Sequence, residues 1–185
     1  MCRLINGSSL LGLLLLSASA AVMAQQEITS SDTILAKLQP VAVEQRVAGI
    51  LHSVDIQIAF AINSASLSPN AQQQLQALAA ALASPALNGC QFYLIGHTDS
   101  SGQADFNQQL SARRAEAVKT WLLAQPALAN LTLSSLGLGS QQLLPAMAPE
   151  DPRHRRVEVK LSDAEQCLVQ QGVTKEADGE LKVRW

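Results

Sequence analysis

The chain has 185 residues, of which 48% are hydrophobic, 15% charged and 3% aromatic, with a formal charge of −2. That composition suits one ordinary globular domain with a short appendage, and it excludes a disordered chain. The weak negative charge and the scarcity of aromatic residues argue against a nucleic-acid binder or a stacking platform for bases or sugars.

The N-terminus reads as a secretory signal peptide over residues 1–24. Arg3 supplies a short positive region, Leu10 to Leu16 is an apolar core, and Ser17 to Ala24 is rich in small residues. Val22 and Ala24 stand at the −3 and −1 positions of a cleavage site, so Gln25 is the expected first mature residue. The apolar stretch is short for a membrane helix, which needs roughly 18 to 20 residues. Cys2 precedes it and cannot serve for lipid attachment. The protein is expected to leave the cytoplasm, with no membrane span after cleavage. Two cysteines then remain, Cys90 and Cys167, an even pair that in an oxidising compartment suggests a disulfide. Two separately buried thiols are the alternative. With His52, His97 and His154 scattered along the chain, no metal or other cofactor is expected.

Residues 25–52 read as a helical lead-in. Ser31 or Asp32 caps a helix whose stripe is Ile34, Leu35 and Leu38, before Pro40. Val41, Val43, Val47, Ile50 and Leu51 continue the apolar character. Val54, Ile56, Ile58 and Phe60 then alternate with other residues at the period of a half-buried strand. Ser68-Pro69 opens a helix with Leu75, Leu78 and Leu82 on one face, ended by Pro85 and Asn88-Gly89. Phe92 to Ile95 is a second strand, Gly96 to Asp105 a polar loop, and Phe106 to Ala124 a second long helix. A third strand covers Leu131 to Gly139, a proline-bearing loop follows, and Arg156 to Leu161 is the fourth. The order is β-α-β-α-β-β, an α/β sandwich over residues 53–162 with parallel strand pairs expected. Residues 163–185 form an extension: a short helix around Cys167, a turn at Asp178-Gly179 and a final strand.

Chemistry gathers between the second strand and the second long helix. At 100° per residue, Asn107, Ser111, Arg114, Val118 and Trp121 share one stripe, apolar toward its end and polar toward its start. A helix that turns polar on its inward face beside a strand-to-helix loop predicts a polar pocket there, and Asp99 can reach it. A buried arginine needs an anionic partner and a buried aspartate a cationic one. Either Asp99 and Arg114 pair with each other as a structural salt bridge, or they hold the two ends of a zwitterion. His97 reads as a structural histidine on a strand. Ser100 and Ser101 lack the setting of a nucleophile, and Gly137-Leu138-Gly139 reads as a strand end. No enzyme is expected.

The run GHTDSSG at 96–102, Asn107 and LSARRA at 110–115, with IAFAINSASLSP at 58–69 before and HRRVEV at 154–159 after, resembles the OmpA-like peptidoglycan-binding domain. That family includes the peptidoglycan-associated lipoproteins and the C-terminal domains of flagellar stator proteins. The resemblance spans about residues 54–161. It implies non-covalent binding of peptidoglycan through the diaminopimelate of the peptide stem, with Asp99 on the ammonium and Arg114 on the carboxylate. Thr98 and Asn107 then belong to the pocket, with Asn63 and Arg156 as secondary contacts. The family commonly has an acidic residue where this chain has Ala61, which implies one polar contact fewer. An envelope protein partner, with the pocket vestigial, is the other expectation.

Overall fold

A computed structural model describes residues 28–40, 52–58, 60–175 and 181–183. The expected signal peptide, the apolar residues at 41–51 and the turn at Asp178-Gly179 lie outside these. Among the described residues four α-helices and six strands run in the order α1 (Ser31–Leu38), β1 (Ser53–Ile56), α2 (Pro69–Leu82), β2 (Gln91–His97), α3 (Ala104–Leu123), β3 (Thr132–Gly139), β4 (Val157–Leu161), α4 (Ala164–Gln170), β5 (Val173–Lys175) and β6 (Leu181–Val183).

The main sheet has the order β1-β4-β2-β3. Only β2 and β3 pair in parallel, while β4 lies between β1 and β2 and is antiparallel to both. The expectation of parallel pairs therefore holds for one pair and fails for the other. β1 and β2 do run in the same direction, but the last strand is inserted between them. β1 is also shorter than its alternation predicts. Its final residue, Ile56, pairs with Val157, the first residue of β4. Ile58 is buried beyond that point but has no strand opposite it.

The core joins the inward face of the sheet to α1, α2 and α3. Val54, Ile56, Phe92, Leu94, Val157 and Val159 meet Leu75, Leu78, Leu82, Val118 and Leu122, all buried. Ser68 caps α2 by accepting from the Ala71 N–H at 3.1 Å, with Pro69 in the first helical position, as its sequence predicts. The cap of α1 is Ser30, not Ser31 or Asp32, and its hydroxyl accepts from the Thr33 N–H. Ile34 and Leu38 bury the α1 stripe in the same core. Buried Gln74 fastens the lead-in through two bonds with the Thr29 backbone, at 2.8 and 3.1 Å.

Two facing glycines set how closely α3 approaches the sheet. Gly96 and Gly137 are register partners. A Cβ on Gly96 would overlap the Ser111 carbonyl, and one on Gly137 the Ala112 amide. Only hydrogen at both positions lets the helix backbone rest on the strands. The pairing of β2 with β3 shifts register between Gly96 and His97, at the end of the strand.

At the far end of β2, Cys90 and Cys167 form a disulfide, with Cα atoms 4.5 Å apart. It ties α4 to the start of the strand. Gln171 Nε2 adds a bond to the Ala86 carbonyl at 2.6 Å. β5 and β6 form a separate antiparallel pair, so the expected final strand is present.

Candidate functional site

A cleft of about 330 Å³ lies at the C-terminal end of β2, lined by Phe60, Ile62, Asn63, Thr98, Asp99, Ser101, Asn107, Leu110, Arg114 and Arg155. Five of the six residues expected in the pocket meet there: Asn63, Thr98, Asp99, Asn107 and Arg114.

Asp99 sits on the loop that leaves β2. Its Oδ1 accepts from the Ser101 N–H at 3.0 Å, closing a local turn. Its Oδ2 accepts from Arg155 Nη1 at 2.5 Å. Burial acts to raise the carboxyl's pKa. The Arg155 guanidinium and the Ser101 N–H together outweigh burial and hold it below the ordinary carboxylate range. Asn107, on the first turns of α3, anchors the loop: its Nδ2 donates to the Ser101 carbonyl at 2.8 Å and to the Asp99 carbonyl at 3.3 Å. One helix turn on, the Ser111 hydroxyl accepts from the Gly139 N–H and joins α3 to the end of β3.

Arg114 lies on the same helix stripe and is buried. Its Nε donates to the Ser64 carbonyl at 3.0 Å and its Nη2 to the Ala61 carbonyl at 3.3 Å. The guanidinium carbon stands 4.9 Å from the Phe60 ring centroid. Burial first, and then the nearby Arg155 charge, lower its pKa. The group still stays charged at any physiological pH. Among the described residues no carboxylate pairs with it. The structural Asp99–Arg114 salt bridge is thus replaced by an Asp99–Arg155 bridge, and Arg114 is left with neutral partners.

Arg155 was not singled out by its sequence, and Arg156 was expected in its stead. Arg155 closes the short turn Pro152–His154 with backbone outside the extended region (φ −77°, ψ 83°), and of this pair it alone lines the cleft. The guanidinium of Arg156 turns away to Asp55 Oδ1 at 2.8 Å and to the Gln142 carbonyl. Arg156 is a cross-strand clamp between β4 and β1. The placement of Arg155 is secured by its other neighbour. Buried His154 accepts from the Leu144 N–H at 3.0 Å through Nδ1, and its Nε2 faces the Ala148 carbonyl at 2.8 Å. This pairing defines the neutral ring with hydrogen on Nε2.

Thr98 is buried and lines the cleft, and among the described residues its Oγ1 has no hydrogen-bond partner. Across the mouth, Phe60 bridges Leu67 and closes a short loop. Asn63 occupies the left-handed region there (φ 53°), which asparagine tolerates better than most residues. The side chain of Ile62, 92% exposed, stands over the mouth.

A model of the OmpA family matches residues 59–156, more than half of the chain. The chain belongs to the OmpA family. YfiB of Escherichia coli (strain K12) is 42% identical over 82 residues, covering 43% of this chain and 50% of that protein. Outer membrane porin F of Pseudomonas fluorescens is 32% identical over 111 residues, 58% of this chain and 33% of that protein. The chain thus spans half or less of the length of these relatives. The C-terminal domain of Helicobacter pylori MotB shares the fold, with a TM-score of 0.50 and 19% identity over 63% of this chain and 92% of that one. Within the OmpA match, TD at 98–99, Asn107 and Arg114 all reach the cleft. Among the described residues no helix is long and apolar enough to cross a membrane, and no cluster of side chains could hold a metal ion.

Proposed function

We propose that this protein binds peptidoglycan without chemical turnover, holding the diaminopimelate of the peptide stem and linking the cell envelope to the wall from the periplasm. The observation that carries this reading is the pair of opposite charges lining one cleft. Asp99 presents a carboxylate, and Arg114 presents a guanidinium with no carboxylate partner among the described residues. An amino acid's ammonium and carboxylate complement that pair. Arg114 offers a planar fork suited to a carboxylate, and Asp99 accepts from the ammonium. Thr98 lines the same cleft. The methylene chain of the ligand has Leu110 and Ile62 to lie against.

Membership of the OmpA family supports the reading, as does the naming of one relative for the outer membrane. The charged and amide side chains of the cleft, Asp99, Arg114, Arg155, Asn63 and Asn107, are a set suited to recognition of a polar ligand. The test is co-sedimentation with two purified walls, one cross-linked through diaminopimelate and one through lysine. Lysine has no distal carboxylate for Arg114. Retention on the first wall alone is expected. Equal retention on both, or on neither, would remove the diaminopimelate reading.

A further inference from the structure

The charges of the cleft do not balance. Two guanidinium groups, Arg114 and Arg155, face it with one carboxylate, Asp99. Arg155 already occupies Asp99 Oδ2. An ammonium bound at Asp99 must therefore share or displace that partner. Arg155 can move, because its side chain is 46% exposed, whereas that of Asp99 is 9% exposed and held by the Ser101 N–H. Once displaced, Arg155 remains near Arg114, and the two repel. A simple zwitterion brings one charge of each sign and leaves that excess in place. A ligand of net charge −1, with one ammonium and two carboxylates, cancels it.

We propose that Arg155 is the displaceable counter-ion of Asp99, and that on ligand entry it passes to a second carboxylate. Given the diaminopimelate reading, on which this rests, the cleft then selects a particular stem. Diaminopimelate is a diamino diacid, and in a stem one of its amines is already acylated by the preceding residue. Where it ends the peptide and is not cross-linked, it keeps one ammonium and two carboxylates. Adding a further residue converts one carboxylate to an amide. Cross-linking through the distal amine removes the ammonium. The preferred ligand is a stem that ends in diaminopimelate with its distal amine free.

The test uses the purified protein and three soluble stem peptides in calorimetric titrations. The first ends in diaminopimelate with both carboxylates free. The second carries a carboxamide in place of the terminal carboxylate, and the third has its distal amine acetylated. The wild-type protein is expected to favour the first over the second by about tenfold, the scale of one exposed charge-assisted contact. Arg155→Gln should bring that ratio close to one while binding the carboxamide peptide at least as well as the wild type, because a competitor for Asp99 is gone. Arg155→Lys should keep part of the preference. Circular dichroism of each variant confirms folding. A wild-type ratio near one, with acetylation still abolishing binding, would overturn the role of Arg155 and leave the diaminopimelate reading standing. A ratio unchanged in Arg155→Gln would also overturn it. Failure of the wild type to bind any of the three would remove both readings.

Discussion

Asn107 on α3 holds the loop of Asp99 by donating one amide group to two carbonyls, those of Asp99 and Ser101. The acidic side chain of the cleft is therefore aimed from the helix, through a residue that is itself buried. Asn107→Ala leaves two loop carbonyls without this donor, at a cost of about 1–3 kcal/mol. Wall binding should weaken in the variant although Asp99 and Arg114 are unchanged. Denaturant unfolding and co-sedimentation on the same preparation check both parts.

The glycine pair beneath α3 makes a prediction about stability. Gly137→Ala places a methyl group against the Ala112 backbone, which has no freedom to withdraw without moving the helix. The expected loss is about 1–3 kcal/mol, read as a lower denaturant midpoint with an unchanged slope. The same substitution at Gly102 has open space around it. Gly102 has a positive φ (86°), so alanine there carries backbone strain but no overlap. A smaller loss is expected.

The pH dependence follows from Asp99. Its carboxyl has a lower pKa in the folded protein than in the unfolded chain, where the ordinary value is about 4. The folded state therefore gains stability from the ionised group above about pH 4, and loses it as the pH falls through the lowered folded value. Wall binding through this carboxylate should be level from neutral pH to about 4 and decline below. Removing Arg155 takes away the strongest group that opposes burial. The Asp99 carboxyl of Arg155→Gln should then titrate at higher pH than that of the wild type. Carbon NMR of the side-chain carboxyl measures the two midpoints directly; coincident midpoints would contradict the pairing.

The disulfide and the cleft lie at opposite ends of β2, roughly 20 Å apart at about 3.3 Å per residue. Closing so long a loop stabilises the fold by about 4–5 kcal/mol on the chain-entropy model, and removal of a native disulfide commonly costs about 2–5 kcal/mol. Cys90→Ser with Cys167→Ser should thus unfold at lower denaturant, yet retain wall binding under conditions where it remains folded. Loss of binding in the folded variant would show that the extension reaches the cleft.

Much of this was legible because local rules and global packing agreed. Ser68-Pro69 announces α2, the spacing of Leu75, Leu78 and Leu82 gives its buried face, and the polar half of the α3 stripe gives the pocket. What was not legible depended on the order of strands. Nothing local to residues 157–161 says that this strand inserts between β1 and β2. Its insertion is also what ends β1 at Ile56. The choice between Arg155 and Arg156 needed the phase of the extended segment before β4, which begins in a turn around buried His154 and not in regular alternation. Likewise, the partner of Asp99 arrives from a residue 56 positions away, where no spacing rule connects the two.

The central claim is that Asp99 and Arg114 form a wall-binding site and do more than hold the fold. Co-sedimentation of the purified protein with diaminopimelate-type wall, beside the Asp99→Ala/Arg114→Ala double variant shown to be folded by circular dichroism, tests this most directly. The account predicts that the wild-type protein pellets with the wall and the folded variant stays in the supernatant. Equal pelleting of both, or of neither, would contradict it.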